Sequence, residues 1–533
     1  MSYSDDTASR LATGIVIGSG GVASSFMPAK YVRAPGRQAI VTAASALAGF
    51  GFGALVAAPA ADAIGGDDAL RGGLLMGGAG LATALAGRHL PNAGSMRDAG
   101  RVVASIGTIA AVGGGAVVGT EALDRSGAPL SDSSIGVATV AGVIGGTATA
   151  GVLALRGGYR PAATVAQAAR SVLRPTEEAL SAWTPELARA DYATRTSAAK
   201  ELLAKLPGAD ASTWERIGKG RSFLRNAATT DDIRSTMNVD AIRAPRRLLV
   251  ATTEASTPEA RAALMLERFD AAGGVEYGTV HVISPTAIAD TNEVVPLAVE
   301  HATRGNVITL MTQTSQSEPY FVLHKVGQAQ KTLDLVLRGI QDRIEALPAA
   351  SRPKVLLSAL CYGSLSPVEL GADALKARGV QHMLLEGAPA LRREARALTG
   401  RLSRGEQEGV LAFSRAELDA RVAAGGSTPS LTMLMHRDDP LRVGLNSVLV
   451  PASSQEQRPF VPVMSAINAF GDFGVDSPRG PGTLLEVGHQ FAGTGVASAN
   501  TAFGLGLTPA RIEALEQFAV LRDAVRGIGT KSS

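Results

Sequence analysis

Residues 354–367, KVLLSALCYGSLSP, hold the only cysteine of the 533-residue chain. The apolar run from Val355 has the length of a buried strand, and Pro367 opens a stretch that reads as helix. The chain must therefore turn from strand to helix close to Cys361. A sharp turn that presents its central side chain needs small residues two before and two after it. Ala359 and Gly363 meet that need around Cys361. Centring the turn on Ser364 puts bulky Tyr362 at a small position, and centring it on Ser366 puts Pro367, which has no N–H, next in line. Cys361 is the best-fitting centre of a nucleophile elbow. The plainer alternative is a buried cysteine at a strand end.

Outward from this turn the pattern is regular. RRLLVATTEA (246–255), GTVHVISPTA (278–287), GNVITLMTQT (305–314), HMLLEGAP (382–389), SLTMLMHRDDP (430–440) and GTLLEVGH (482–489) read as strands. Helical stretches stand between them, the longest being KVGQAQKTLDLVLRGIQDRIEAL (325–347), and a last helix closes the chain. Strands apolar on both faces, joined by helical crossovers, predict a mainly parallel sheet with helices on both sides, an α/β fold over 241–533. The stretch 391–430 is a candidate cap insertion.

The chain has two compositions. Residues 1–156 are rich in Gly, Ala and Val, while the remainder has an ordinary globular mix dense in Arg, Asp and Glu. Five stretches, Leu11–Pro28, Ala39–Ile64, Leu70–Gly87, Val102–Ala122 and Ile135–Leu155, approach the roughly 20 apolar residues that cross a bilayer. They predict a transmembrane helical region over 1–156, and their small residues suit helix–helix packing and homo-oligomerisation. Lys30, Arg33, Arg37, Arg88, Arg97, Arg101 and Arg156 fall in alternate connecting segments, which places the C-terminal domain in the cytoplasm of a multi-pass cell-membrane protein. The spans hold no convincing ion pair, which argues against a transporter. A net charge of only +3 gives no case for a nucleic-acid partner. A single cysteine excludes an intrachain disulfide and a cysteine-cluster zinc site.

Residues 157–240 read as a helical connector. Thr184-Pro185 is a cap and first turn, and Thr229–Asp232 a second helix start. Lys219, Arg221 and Arg225 are candidates to touch anionic lipid headgroups, against the plainer reading of a solvated linker.

The order of the remaining candidates strengthens the elbow. An acid and a histidine should follow the nucleophile in that sequence. HRDDP (436–440) follows one later strand and GHQF (488–491) follows the last. Asp439, directly before Pro440, is preferred to Asp438 as the acid, and His489 is the base. His281 and His382 lie within strands, and His301 and His324 precede the elbow. For all three, ordinary turn and core roles are the alternative.

At these residues the chain resembles the membrane-anchored α/β-hydrolase-like proteins typical of actinobacteria, over nearly its whole length. The resemblance is carried by residues 24–56, by GKGRSFLRNAATTDDI (218–233), by SPTAIAD (284–290), by RPKVLLSALCYGS (352–364), by HRDDP and by GHQF. It puts Cys361 where that family has a serine within Gly-Glu-Ser-Leu-Gly-Ser. It also favours Asp439, from a His-x-Ser-Asp-Pro motif, and His489. Ala359 and Leu360 depart from the family's Gly and Glu, and Ala287-Ile288-Ala289-Asp290 from its Gly-Thr-Gly-Trp.

The expected chemistry is thiol-based acyl transfer from an ester or thioester, lipid-like by location, to water. Cys361 attacks, His489 takes its proton or holds it as a thiolate–imidazolium pair, and Asp439 orients the imidazole. The backbone N–H of Tyr362 and one from the Thr286–Ala287 loop would hold the oxyanion. No metal or organic cofactor is called for. An acyltransferase, or a non-catalytic membrane scaffold that kept the fold, are the rival readings.

Overall fold

The structure, a computed structural model, describes residues 172–530 apart from 211, 318–321, 390–391, 407, 425–426, 437–438, 440–483 and 486–488, together with Leu74, Leu75 and Ala79. The chain divides into two compact units, residues 1–168 with 443–478, and residues 169–442 with 479–533. Nearly all described residues belong to the second. The five expected membrane spans lie outside the described residues but for those three. Among the described residues no helix is long and apolar enough to cross a membrane.

The second unit is built on a parallel sheet of seven strands: β2 (Arg246–Val250), β3 (Thr279–Ser284), β4 (Val307–Thr312), β5 (Lys354–Leu360), β6 (Val380–Glu386), β7 (Val410–Ala412) and β8 (Leu431–Leu434). Their spatial order is β2-β4-β3-β5-β6-β8-β7, every pairing parallel. All six residues of β3 and Val355–Ala359 of β5 are buried, because helices cover both faces and leave no solvated side to alternate towards. One face is covered by the helices Pro258–Ala271, Val326–Glu345 and Arg393–Arg404, whose Met265, Leu337 and Leu398 pack on Val282, Leu310 and Leu385. Helices Thr230–Met237, Val294–Ala302, Gly495–Phe503 and Pro509–Thr530 cover the other, around Leu356 and Leu384. The winding runs from β2 to β3 and outward to β4, then returns past β3 to β5. The carboxyl ends of β3 and β5 thus flank the point where the strand order reverses, where open α/β sheets place their sites.

One expectation is corrected here, and three other regions show how they pack. GTLLEVGH does not extend the main sheet: Leu484–Leu485 (β9) pairs antiparallel with β1 (Val172–Leu173) in a separate two-stranded sheet. The described strand is only two residues long, too short for its own pattern to specify which sheet it joins. The described part of the 391–430 stretch, a candidate cap, lies beside the main sheet. It adds a helix, the short edge strand β7 beside β8, and the helix Arg415–Ala423, with Leu402 and Leu411 in the main core. The described part of the 157–240 segment, the expected helical connector, packs against the sheet. Trp214, Ile217, Phe223 and Leu224 pack on Leu249, Ile283 and Met311 at the sheet. Fully buried Arg247 of β2 pairs with Glu300 (Nε–Oε1 2.5 Å) and donates to the Phe223 carbonyl, while Glu300 accepts the Ala228 N–H at 2.9 Å. Arg221 and Arg225, both considered for lipid contact, also have partners within the protein. Arg221 pairs with Glu215 at 2.8 Å, and Arg225 stacks on Tyr192 and donates to its hydroxyl.

Both predicted helix starts are present. Thr184 caps the helix Pro185–Ala204, and Thr229 with Asp232 forms a reciprocal capping box at 3.0 and 2.9 Å.

Candidate active site

Strand β5 ends at Leu360 and a 3₁₀ turn, Cys361–Ser364, runs directly into the helix Leu365–Leu370. Turning this sharply forces Cys361 to φ +55°, a left-handed conformation that costs a non-glycine residue on the order of 1 kcal/mol. Such strain persists only where the surroundings over-determine it. The surroundings here are tight. A Cβ on Gly363 would lie 2.0 Å from the Ser284 carbonyl oxygen and 2.4 Å from that of Pro285. Only glycine therefore lets the elbow press against the end of β3. The Ser284 hydroxyl donates to the Gly363 carbonyl at 2.8 Å and the Ser364 hydroxyl to the Glu386 carbonyl at 3.2 Å, tying the turn to both neighbouring strands. Ala359, 2 % exposed, fills the small position before it.

Asp439 follows β8 and is fully buried, and its Oδ2 lies 2.8 Å from Nδ1 of His489. Asp438 lies outside the described residues. The Cys361 thiol lies close enough to act on the same imidazole. Burial alone would depress His489. The charges of Asp439 and Cys361 outweigh it and hold the imidazole well above the ordinary histidine value. Nδ1–H···Oδ2 fixes the tautomer so that the other ring nitrogen carries the exchangeable role. Residues from three separate parts of the chain, 361, 439 and 489, are thus brought to one place.

The loop expected to supply oxyanion donors folds as a tight turn. The Thr286 N–H donates to the Asp290 carbonyl at 2.8 Å, and the Asp290 N–H to the Thr286 hydroxyl at 3.1 Å. Thr286 therefore has its amide engaged, and Ala287 is the candidate donor of this pair. The Ala287 carbonyl accepts from Thr314 and Ser315, which pins the loop to the end of β4. Ala289 sits at φ +66° within it. Tyr362 is buried, its hydroxyl donating to the Val322 carbonyl at 3.3 Å. A cavity of about 10 Å³ beside Ser284, Pro285 and Thr314 has room for about one water and is too small for a substrate.

Three neighbours went unread in the sequence. Phe491 lies between His436, stacked at 4.4 Å between ring centroids, and His489, edge-on at 5.5 Å. Glu386 ends β6 fully buried, and Asn292 donates to it at 2.9 Å. The available signal was HMLLEG: an acid closing a wholly apolar run, next to a glycine, asks for a reason to be there.

A model of an alpha/beta-hydrolase family matches residues 246–420, from β2 through the helix after β7. That span includes Cys361 and stops short of Asp439 and His489. No curated protein and no solved structure matches the chain. The C-terminal domain is accordingly hydrolase-like in both its sequence and its parallel sheet.

Proposed function

We propose that the protein is a membrane-anchored hydrolase that transfers an acyl group from an ester or thioester to water through Cys361, His489 and Asp439. The observation that carries this reading is the strained Cys361 at the strand-to-helix turn, facing an imidazole already held by a buried carboxylate. A structural cysteine has no need of either feature.

In the first step the Cys361 sulfur, whose proton His489 holds as a thiolate–imidazolium pair, attacks the carbonyl carbon. The tetrahedral oxyanion meets the N–H of Tyr362, at the start of the elbow turn, and that of Ala287. Collapse breaks the C–O or C–S bond, and the imidazolium gives its proton to the leaving alcohol or thiol. Water, deprotonated by His489, then attacks the thioester, and the thiol is restored with the same proton. Asp439 stays ionised and orients the ring throughout. No metal or organic cofactor enters.

The substrate class follows from the anchor: a catalytic unit on the cytoplasmic face of a bilayer meets acyl lipids and acyl thioesters. Transfer to an alcohol or amine in place of water is a second reading, favoured by the thioester intermediate that a cysteine nucleophile forms.

Alkylation by iodoacetamide tests the reading, since the chain has one thiol. Wild type should alkylate at about pH 7 faster than a free thiol, whose reference pKa is about 8.5, and His489→Ala should slow it by at least about tenfold. A thiol indifferent to His489 would leave the non-catalytic scaffold as the better account.

A further inference from the structure

Glu386 is a buried ionisable group beside the site that the reaction does not use. Its Oε1 accepts the Asn292 amide at 2.9 Å and the Ser498 hydroxyl at 3.3 Å. The second hydrogen of the same Asn292 amide goes to the Phe491 carbonyl at 3.0 Å, and Asn292 Oδ1 accepts the Val294 N–H at 3.3 Å. Both amide hydrogens are therefore committed, one to the end of β6 and one to the segment two residues beyond His489. The next residue, Gly387, at φ +59°, forms the floor under the imidazole: a Cβ there would stand 2.6 Å from His489 Cε1. One carboxyl thus links β6, the loop after β3, the helix Gly495–Phe503 and the His489 segment.

We propose that Glu386 is a positioning residue for His489, acting through Asn292 and the Phe491 carbonyl. Phe491 in turn sets the ring plane of His489 against its own. The clamp rests on the acyl-transfer reading only for its kinetic readout.

The clamp has a charge state. Burial pushes the Glu386 carboxyl up to about 8, against the hydrogen bonds from Asn292 and Ser498 and the charge of His489, which all favour ionisation. The ionisable groups around it are His489, then Asp439 and His436 after β8 and Cys361 after β5; Asn292 and Ser498 do not titrate. Below that pH it is a neutral clamp. Above it, a negative charge beside the imidazole favours the imidazolium.

The test measures Cys361 alkylation and the His489 imidazole NMR titration, over about pH 6 to 9, in wild type, Glu386→Gln, Glu386→Ala, Asn292→Ala and His489→Ala. Glu386→Gln keeps a neutral acceptor, so alkylation at about pH 7 should stay within about threefold of wild type, and the His489 titration should move to lower pH. Glu386→Ala and Asn292→Ala should each slow alkylation by about tenfold or more, as a displaced base does. Asn292→Ala keeps the proposal open to test if Glu386→Ala fails to fold. Wild-type alkylation rates in both truncations would overturn the clamp, and an unmoved His489 titration in Glu386→Gln would overturn its charge role. If His489→Ala itself leaves alkylation unchanged, the nucleophile reading fails, and the imidazole titration still judges the clamp.

Discussion

At the scale of single residues the site is marked by strain and by misplaced charge. Cys361 and Ala289 both hold a left-handed backbone that glycine adopts without penalty. Cys361→Gly should therefore stabilise the domain by roughly 1 kcal/mol while removing the only thiol. A thermal melt beside an alkylation assay checks it, and a destabilised glycine variant would remove strain from the argument. Ala289→Gly should stabilise similarly and leave the thiol reactive. Two buried groups then shape the pH dependence. His281, fully buried against Ser358, is held down to about 3 by burial, with Arg247 adding to the effect. Below about 6.5 the unfolded chain binds a proton there that the folded chain refuses, so stability falls with pH by up to about 1.4 kcal/mol per unit. Glu386 acts oppositely. Its raised folded pKa means that the folded state holds a proton the unfolded state has lost from about 4.3 upward, so stability falls as pH rises towards about 8. Glu386→Gln should flatten the alkaline limb of a melting-temperature profile, and His281→Gln the acid limb. Unchanged limbs would show that neither group is titrating as its burial requires.

At the scale of elements, what the sequence made legible and what it hid have physical reasons. The buried parallel strands announced themselves as apolar runs, because no face of them meets water. Helix starts at Thr184 and Thr229 were legible because capping is a local interaction. The elbow was legible because the space beside β3 admits only glycine at 363. Local patterns carried no information on which sheet two short residues at 484–485 would join, or that β7 would form at all. Nor did they show that the segment from Val172 is welded to the domain, since that depends on partners 24 and 72 residues apart in sequence. The weld supplies a prediction. Arg247→Met leaves Glu300 as an unpaired buried charge and frees the Phe223 carbonyl, a change worth about 3–5 kcal/mol. Trp214, packed beside Phe223, should report it as an early shift in fluorescence on heating. Adding Glu300→Gln should restore part of the loss, because the amide oxygen still accepts the Ala228 N–H without carrying charge. A double variant no better than the single one would mean that the pair acts through packing instead of charge.

At the scale of the whole molecule, the carboxyl ends of β3 and β5 form the one rim of the sheet at which the elbow, the Ala287 loop and the His489–Asp439 pair meet. On the proposed reading that rim carries the chemistry, and the N-terminal 156 residues set where it is done. Their reading as membrane-spanning rests on five long runs with almost no charge, rich in glycine, which is a poor helix former in water but is common in packed membrane helices. The full chain should therefore stay with the bilayer through an alkaline carbonate wash. The loop bias adds a sharper demand. The segments holding Arg33, Arg37, Arg97 and Arg101 should be protected from an impermeant reagent, and the segment holding Asp67 and Asp68 open to it. Introduced cysteines read this in a Cys361→Ser background, where no native thiol competes. Labelling of the Asp67–Asp68 segment alone puts the catalytic rim in the cytoplasm, beside acyl thioesters and the inner leaflet. Labelling of the arginine segments instead would reverse the orientation, and the substrate would then have to be sought among acyl groups outside the cell.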